Sequence, residues 1–274
     1  MAKNNDQYAV FGNPINHSKS PILQAAFAEQ TQQAISYSAR CIDVDKFNTA
    51  ADQFFSTGGK GLNITVPFKL DAFNYADQLT ARAKRAGAVN TLIKKDHYIM
   101  GDNTDGVGLI NDIKNNLKWA LSGKKTLVLG AGGAVRGILE PLLSAKPELV
   151  VIANRSVDKA EILAGSFCDL GNVSACSYPE LSGCFDIIVN GTSASLDGKL
   201  PNLSRDILHS NSCCYDMMYA NRDTIFMQWA KKNGATNTAD GLGMLVCQGA
   251  ESFYQWRGVY PETYEVIQKL RLQL

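Results

Sequence analysis

The chain has 274 residues, 45% hydrophobic and 19% charged, with 27 Lys plus Arg against 26 Asp plus Glu. That length suits two domains with packed cores, and a formal charge of +1 supplies no basic field for nucleic acid or anionic lipid. With no run of about 18 apolar residues and no apolar leader, a cytoplasmic protein acting on a small molecule is expected, with no membrane or nucleic-acid partner.

Tyr8 to Gly12 reads as a buried strand ended by the turn pair Asn13-Pro14. Ser20-Pro21 predicts a helix start, serine as N-cap and proline at the first helical position, with Ile22, Ala25, Ala26 and Glu29 following at helical spacing. Ile35 to Ile42 is strand-like, Asp45 to Phe55 helical, and Leu62 to Val66 strand-like until Pro67 stops it. Val89 to Lys94 and His97 to Met100 predict two further strands. Strands alternating with helices in this way predict an α/β layer with at least partly parallel pairing.

Leu109, Ile113 and Leu117 recur at i, i+4 and i+8, which predicts a helix from Asp105 to Leu121 bridging two domains. Thr126 to Leu129 is an apolar strand of the buried parallel kind. A helix opened by Gly130 and running to about Ser144, then a strand at Leu149 to Ala153, completes one βαβ unit. Asp186 to Val189 and Ser212 to Met217 are expected to be later strands of the same sheet. Leu242 to Trp256 reads as a helix, and Pro261 opens a last one with Tyr264, Ile267, Leu270 and Leu274 along one side.

The seven cysteines, Cys41, Cys168, Cys176, Cys184, Cys213, Cys214 and Cys247, contain no C-x-x-C pair, so free thiols are expected and no metal is assigned. His17 adjoins Ser18 but reads as an ordinary loop histidine, and His97 and His209 stand in no motif.

Gly130-Ala131-Gly132-Gly133-Ala134 lies between a strand and a helix, where glycines let a backbone approach a pyrophosphate at a helix N-terminus. Val135 occupies the third glycine position of the strict pattern, and a turn serving only helix–strand packing is the alternative. The following strand ends in Asn154-Arg155-Ser156, with Lys159 beyond, where a NAD-binding fold usually carries an acid. Arg155 can stack on adenine and pair with a 2′-phosphate, and Ser156 and Lys159 add hydrogen bonds and charge, so NADP is the expected cofactor. Lys69 and Asp105 sit in polar, hydroxyl-rich segments. A proton-transfer lysine beside a carboxylate, together with a dinucleotide turn, points to reversible hydride chemistry on an alcohol or ketone.

Eight segments, in order, carry a family resemblance. They are Asn13-Pro14 with Ser18-Lys19-Ser20-Pro21, Gly61-Leu-Asn-Ile-Thr-Val-Pro-Phe-Lys69, Gly87-Ala-Val-Asn-Thr91, Gly101-Asp-Asn-Thr-Asp-Gly106, the Gly130 to Gly137 turn, Asn154-Arg155-Ser156, Tyr215-Asp-Met-Met-Tyr219, and Asp240-Gly-Leu-Gly-Met-Leu-Val-Cys-Gln248. Together they span nearly the whole chain, and the chain resembles the shikimate dehydrogenases. The resemblance implies two α/β domains with a cleft between them. Residues 1–104 plus 241–274 would form the substrate-binding domain and 105–240 a Rossmann-type NADP-binding domain. It implies reduction of 3-dehydroshikimate to shikimate with NADPH in aromatic amino-acid biosynthesis, with Lys69 and Asp105 catalytic. Ser18 and Ser20 would hold the substrate carboxylate, and Asn63, Thr65, Asn90, Asp105, Tyr219 and Gln248 its ring hydroxyls. Gly130, Ala131, Gly132, Gly133, Ala134, Asn154, Arg155, Ser156, Lys159, Met217 and Gly241 would surround the cofactor.

Two departures from the family pattern stand out. Ala81 replaces a frequent acid four positions after Asp77, and Lys159 replaces a frequent arginine, giving a point charge for a bidentate fork. Two other readings remain: a quinate/shikimate dehydrogenase with NAD(P), against which both Ser18 and Ser20 being serine argues, and a non-catalytic dinucleotide-binding sensor. A homodimer is the assembly considered beside the monomer.

Overall fold

The computed structural model describes residues 5–192 and 199–274. Its strands are β1 (Asp6–Gly12), β2 (Ile35–Cys41), β3 (Gly59–Ile64), β4 (Gln78–Leu79), β5 (Thr91–Lys94), β6 (Ile99–Asp102), β7 (Lys125–Leu129), β8 (Leu149–Ala153), β9 (Val173–Cys176), β10 (Ile187–Asn190), β11 (Cys213–Asp216) and β12 (Asn237–Ala239). The helices are α1 (Ser20–Gln30), α2 (Phe47–Ser56), α3 (Lys69–Tyr75), α4 (Ala81–Ala86), α5 (Asp105–Asn111), α6 (Gly133–Ser144), α7 (Val157–Gly165), α8 (Ile225–Lys232), α9 (Leu242–Arg257) and α10 (Tyr264–Arg271). Contacts divide the chain into two compact units, Met1–Gly108 with Val246–Leu270, and Leu109–Leu245 with Arg271–Leu274.

In the first unit six strands run in the order β2-β1-β3-β5-β6-β4. β1 pairs parallel with β2 and β3, whereas β3–β5 and β5–β6 are antiparallel. β5 and β6 form a hairpin closed by Lys95 N–H to the Tyr98 carbonyl at 2.9 Å. His97, expected at the start of a strand, lies in that turn. The core under this sheet is aromatic: Phe11, Phe47, Phe54, Phe55 and Phe68 pack with Leu62, Ile64 and Leu92. Each such side chain contributes about 1.5–3 kcal/mol of burial. The last turn of α9 is anchored to the same unit, with Trp256 Nε1–H donating to the Leu92 carbonyl at 3.1 Å and Arg257 paired with Asp6 at 2.5 Å.

The second unit is a wholly parallel sheet, β12-β11-β10-β7-β8-β9. Its strands alternate between two buried faces. Val128, Val150, Ile152, Ile187 and Val189 point to one core, where Val135 and Ile138 of α6 and Leu163 of α7 cover them. Leu127, Leu129, Ala153, Ile188 and Cys214 point to the other, covered by Phe226 and Ala230 of α8. Covering both faces explains why these strands read as unbroken apolar runs. The chain moves outward from β7 to β9 and then resumes at β10 on the other side of β7, so the strand order reverses there. The carboxyl ends of β7 and β10 are where such sheets bind ligands.

Four expectations need correction. Pro261 does not open the last helix, which begins at Tyr264 and buries Val266 and Leu270 while Tyr264 stays 60% exposed. Ser20 is the first helical residue rather than the N-cap; Lys19 occupies the cap without a side-chain bond, and Ser18 Oγ accepts the Ser20 N–H at 3.3 Å. α1 buries Leu23, Gln24 and Phe27, leaving Ile22 47% exposed, because Phe27 packs edge-on to Phe253 and Leu23 fits over Gly249, with Gln24 donating to the Gly249 carbonyl at 3.1 Å beside them. The helix opened by Asp105 widens into a π turn over residues 112–116 and stops before Leu121. There the buried Asp112 carboxylate takes the Asn116 amide at 2.9 Å, and Lys118 adopts φ 59°, outside any right-handed helix. The short strands β4, β9 and β12 were not expected from the pattern.

Candidate active site

In the first unit Lys69 opens α3, directly after the segment that follows β3. The fully buried Phe68 anchors the chain beside it, and the Lys69 carbonyl accepts the Val89 N–H at 2.9 Å. Its side chain is 36% exposed, and Nζ donates to Asp105 Oδ2 at 2.5 Å. Asp105 opens α5 and is itself fixed from two sides. Asn90 Nδ2 donates to Asp105 Oδ1 at 2.8 Å, and the Asp105 N–H donates to Asn103 Oδ1 at 3.1 Å. The carboxylate therefore has a set direction, and the ammonium follows it.

Asn90 is the centre of a buried polar row. Its Oδ1 accepts from the Thr104 N–H and from Thr91 Oγ1, both at 2.9 Å. Its Nδ2 lies 3.0 Å from Thr104 Oγ1 and 3.4 Å from Gln248 Oε1. Asn63 stands next along the row at 7% exposure, donating to Ser252 Oγ at 3.0 Å and accepting from the Tyr37 hydroxyl at 2.7 Å. Ser18, Ser20 and Thr65 are half-buried at the loop ends of the same unit. His17 is exposed. Reading the sequence passed over Ser252, whose hydroxyl also meets Thr91 Oγ1 at 2.8 Å and donates to the Gln248 carbonyl at 3.0 Å. The signal was available, since Ser252 follows Gln248 by four residues on one helix and shares its face.

In the second unit Gly130 leaves β7 with φ +104°, a conformation glycine adopts freely. Gly132, Gly133 and Ala134 are exposed at the start of α6, and Ala131 is half-buried. No side chain caps this twelve-residue helix, and a Cβ on Gly132 or Gly133 would meet nothing within 4 Å. Open space over helix N–H groups suits a pyrophosphate. Val135 points into the core, and Gly191 makes room for it: a Cβ there would fall 2.4 Å from Val135 Cγ2. The close helix–strand approach that a third glycine in the turn usually allows is thus provided from β10's side.

Asn154, Arg155, Ser156 and Lys159 follow β8, with Arg155, Ser156 and Lys159 exposed and Asn154 Nδ2 donating to the Ser156 carbonyl at 2.9 Å. Met217 leaves β11 with its N–H on the Asn190 carbonyl at 2.9 Å. Gly241 donates to the Met218 carbonyl at 2.9 Å, and a Cβ on it would lie 2.2 Å from the Met217 oxygen. Tyr219 is half-buried, and burial, reinforced by Asp240, pushes its phenol up, so it remains a donor at neutral pH. Arg271 pairs with Asp240 and donates to the Ala220 carbonyl at 3.1 Å, tying these two segments together. Among the described residues no group of three or more His, Cys, Asp or Glu is placed to hold a metal, and no helix is long and apolar enough to cross a membrane.

Comparison with known proteins gives three family matches. Residues 10–92 match the shikimate dehydrogenase substrate binding domain, 112–197 the shikimate / quinate 5-dehydrogenase family, and 241–271 the shikimate 5'-dehydrogenase C-terminal domain. Shikimate dehydrogenase (NADP(+)) of Cellvibrio japonicus is 59% identical over 98% of both chains. Among solved structures, an Ael1 enzyme from Pseudomonas putida superposes with a TM-score of 0.94 at 46% identity, covering 97% of this chain and 98% of the other. Shikimate 5-dehydrogenase from Thermus thermophilus, in complex with NADP(H) and shikimate, superposes with a TM-score of 0.86 at 29% identity, covering 98% and 100%. With an N-terminal substrate-binding domain and a Rossmann-like domain after it, the chain belongs to the shikimate dehydrogenase family.

Proposed function

We propose that this chain reduces 3-dehydroshikimate to shikimate with NADPH, reversibly, as a step of aromatic amino-acid biosynthesis. The observation that carries the reading is the Lys69–Asp105 pair at 2.5 Å, set at the end of a row of neutral hydroxyls and amides. NADPH supplies the hydride to the carbonyl carbon; the chain supplies the proton and holds the ring. Lys69 gives its proton to the carbonyl oxygen during reduction and takes it from the C3 alcohol during oxidation. Asp105 keeps the ammonium aimed and holds a ring hydroxyl. Ser18 and Ser20 take the carboxylate through hydroxyl donors, while Thr65, Asn90, Tyr219 and Gln248 take ring hydroxyls. Asn63, with its amide committed to Tyr37 and Ser252, contributes chiefly by fixing the row. A substrate lacking one of these hydroxyls leaves a protein group unpaired, which is the source of selectivity.

The residues also fit the cofactor. The open backbone at Gly132 and Gly133, with Gly130, Ala131 and Ala134, receives the pyrophosphate, and Arg155, Ser156 and Lys159, with Asn154, receive the adenosine 2′-phosphate. Met217 and Gly241 would line the nicotinamide. We assign residues 1–104 with 241–274 to substrate and 105–240 to cofactor, place the protein in the cytoplasm, and take a homodimer as the assembly to test by sedimentation.

Gly241→Ala should weaken NADPH binding about tenfold or more, because its methyl would force the Met217 carbonyl aside. Titration by nicotinamide fluorescence reads this, and an unchanged affinity would remove Gly241 from the cofactor site. The function itself is tested by following nicotinamide absorbance with shikimate or quinate and NADP⁺ or NAD⁺. Turnover confined to shikimate with NADP⁺ is expected. Comparable quinate or NAD⁺ turnover would indicate the broader quinate/shikimate type, and none with any pair would defeat the enzyme reading.

A further inference from the structure

Asp112 is a buried carboxylate, 3% exposed, and is none of the groups assigned above to substrate or cofactor. It opens the π turn that follows α5, a feature that recurs at functional sites. Both its oxygens are committed. Oδ1 accepts from the Asn116 amide at 2.9 Å and Oδ2 from the Tyr215 hydroxyl at 2.7 Å. The Tyr215 oxygen in turn accepts the Met244 N–H at 3.1 Å. The phenol's one proton thus serves the carboxylate, and its lone pair serves the amide. Tyr215 is fully buried with Trp119 edge-on to its ring, centroids 6.4 Å apart, so the hydroxyl has a fixed direction.

Met244 lies in the first turn of α9, where helix N–H groups lack intrahelical partners. Two of them are answered by side chains: the Leu242 N–H by Asp240 Oδ1 at 3.2 Å, and the Met244 N–H by Tyr215, 29 residues away. Between them Gly243 presses on Asp112 itself, since a Cβ there would fall 2.1 Å from both carboxylate oxygens. The carboxylate is therefore seated against the first turn of a sixteen-residue helix, the end at which a negative charge is favoured. The same turn is joined to the end of β11. Arg271 ties the outer ends of the two segments, at Ala220 and Asp240, and the Tyr215 hydroxyl ties their inner ends. Between the two ties lie Met217 and Gly241, in backbone contact through the Gly241 N–H on the Met218 carbonyl at 2.9 Å.

We propose that Asp112 and Tyr215 are positioning residues for the nicotinamide end of the cofactor. Asp112 fixes the Tyr215 hydroxyl, and the hydroxyl holds the first turn of α9 by its Met244 N–H. Met217 and Gly241 thereby keep one spacing, and the ligand this serves is a flat pyridinium or dihydropyridine ring. The proposal rests on the reading given under Proposed function, in which these two residues line the nicotinamide. Without the phenolic oxygen the Met244 N–H and Asp112 Oδ2 lose the bond that joins them, and the turn is free to shift against Met217. The loss falls on the nicotinamide end. The glycine turn at Gly130 to Ala134 and the Arg155, Ser156 and Lys159 group keep their own places.

Tyr215→Phe tests this, because the ring remains against Trp119 and only the oxygen goes. Calorimetric titration should show NADPH binding weakened about 5- to 30-fold, the worth of one or two hydrogen bonds. Binding of adenosine 2′,5′-bisphosphate, which carries the 2′-phosphate but no nicotinamide, should change less than about twofold. In steady-state assays the KM for NADP⁺ should rise with the NADPH dissociation constant, while that for shikimate stays unchanged. Asp112→Asn keeps the shape but offers one oxygen where two donors need one each, so it should act in the same sense. It gives the reading should the phenylalanine chain fail to fold. An unchanged NADPH affinity would overturn the proposal. So would equal losses for NADPH and the bisphosphate, or a parallel rise in the KM for shikimate, since the cluster would then serve only the fold. The wild-type chain is titrated and assayed alongside: no NADPH binding or no turnover there would remove the proposed function and this role together, whereas normal binding and turnover with an unaffected Tyr215→Phe would remove the Tyr215 role alone.

Discussion

Lys69→Ala is expected to lower kcat for shikimate oxidation by about 10²- to 10⁴-fold, the span that a positioned acid or base contributes. The effect should sit in kcat, because the proton is in flight only at the transition state, while the ring is held mainly by neutral groups. The KM for NADP⁺ should hardly move. Thermal stability should change little as well, since the lysine side chain is 36% exposed and its ion pair is solvent-screened. Asp105 would keep the Asn90 amide at 2.8 Å, so the carboxylate would remain in place without the ammonium it aims. That makes Lys69→Ala a cleaner probe of proton transfer than any change at Asp105. Steady-state kinetics decide the matter: a loss under tenfold would remove Lys69 as the proton-transfer group, and a loss confined to KM would make it a binding residue.

How much of this was legible before the structure depends on where the determining contacts lie. The β7–turn–α6–β8 segment was readable because a parallel strand buried on both faces is apolar throughout, and because glycines mark the turn locally. The limits of α5 were not. They depend on Asp112, whose buried carboxylate accepts from the Tyr215 hydroxyl at 2.7 Å across 103 residues of chain, a contact that periodicity at Leu109, Ile113 and Leu117 does not register. The face of α1 escapes the pattern for the same reason, since Leu23 and Phe27 pack on Gly249 and Phe253, more than 220 residues away in the chain. β4, β9 and β12 escaped because strands of two to four residues at sheet edges leave almost no pattern. At the site, the motifs named Lys69, Asp105 and Asn90, and the structure brings both Lys69 and Asn90 onto the Asp105 carboxylate. Ser252 and Tyr37, which hold the neighbouring Asn63, do so across 189 and 26 residues of chain respectively, so only the fold reveals them.

Asp102→Ala should cost about 3–5 kcal/mol of stability, the usual penalty for removing one partner of a buried ion pair. Asp102 ends β6 and is fully buried. Its Oδ1 accepts from Thr80 Oγ1 at 2.6 Å, from Arg82 Nε at 2.7 Å and from the Asn103 N–H at 2.8 Å, while Arg82 Nη2 takes its Oδ2. Burial alone would push the Arg82 guanidinium down, but Asp102, and Glu251 at 2.8 Å, outweigh it and hold the charge on. With Asp102 gone, Arg82 would keep only Glu251, and the Thr80 hydroxyl and Asn103 amide would lose their acceptor. The damage would reach the site through one residue, because Asn103 Oδ1 accepts the Asp105 N–H at 3.1 Å and so sets the carboxylate that aims Lys69. A fall in kcat/KM of about tenfold should therefore accompany the lost stability, even though Asp102 touches no substrate. Urea unfolding and steady-state kinetics on the same preparation separate the two effects. The triple variant Asp102→Leu with Arg82→Met and Glu251→Gln discriminates further. It removes all three charges of the cluster, so it should recover much of the stability by leaving no unpaired ion. It should not recover activity, since the Asn103 N–H would still lack its acceptor. Recovery of both would mean that the cluster serves only the fold and that Asp105 is set by Asn90 alone.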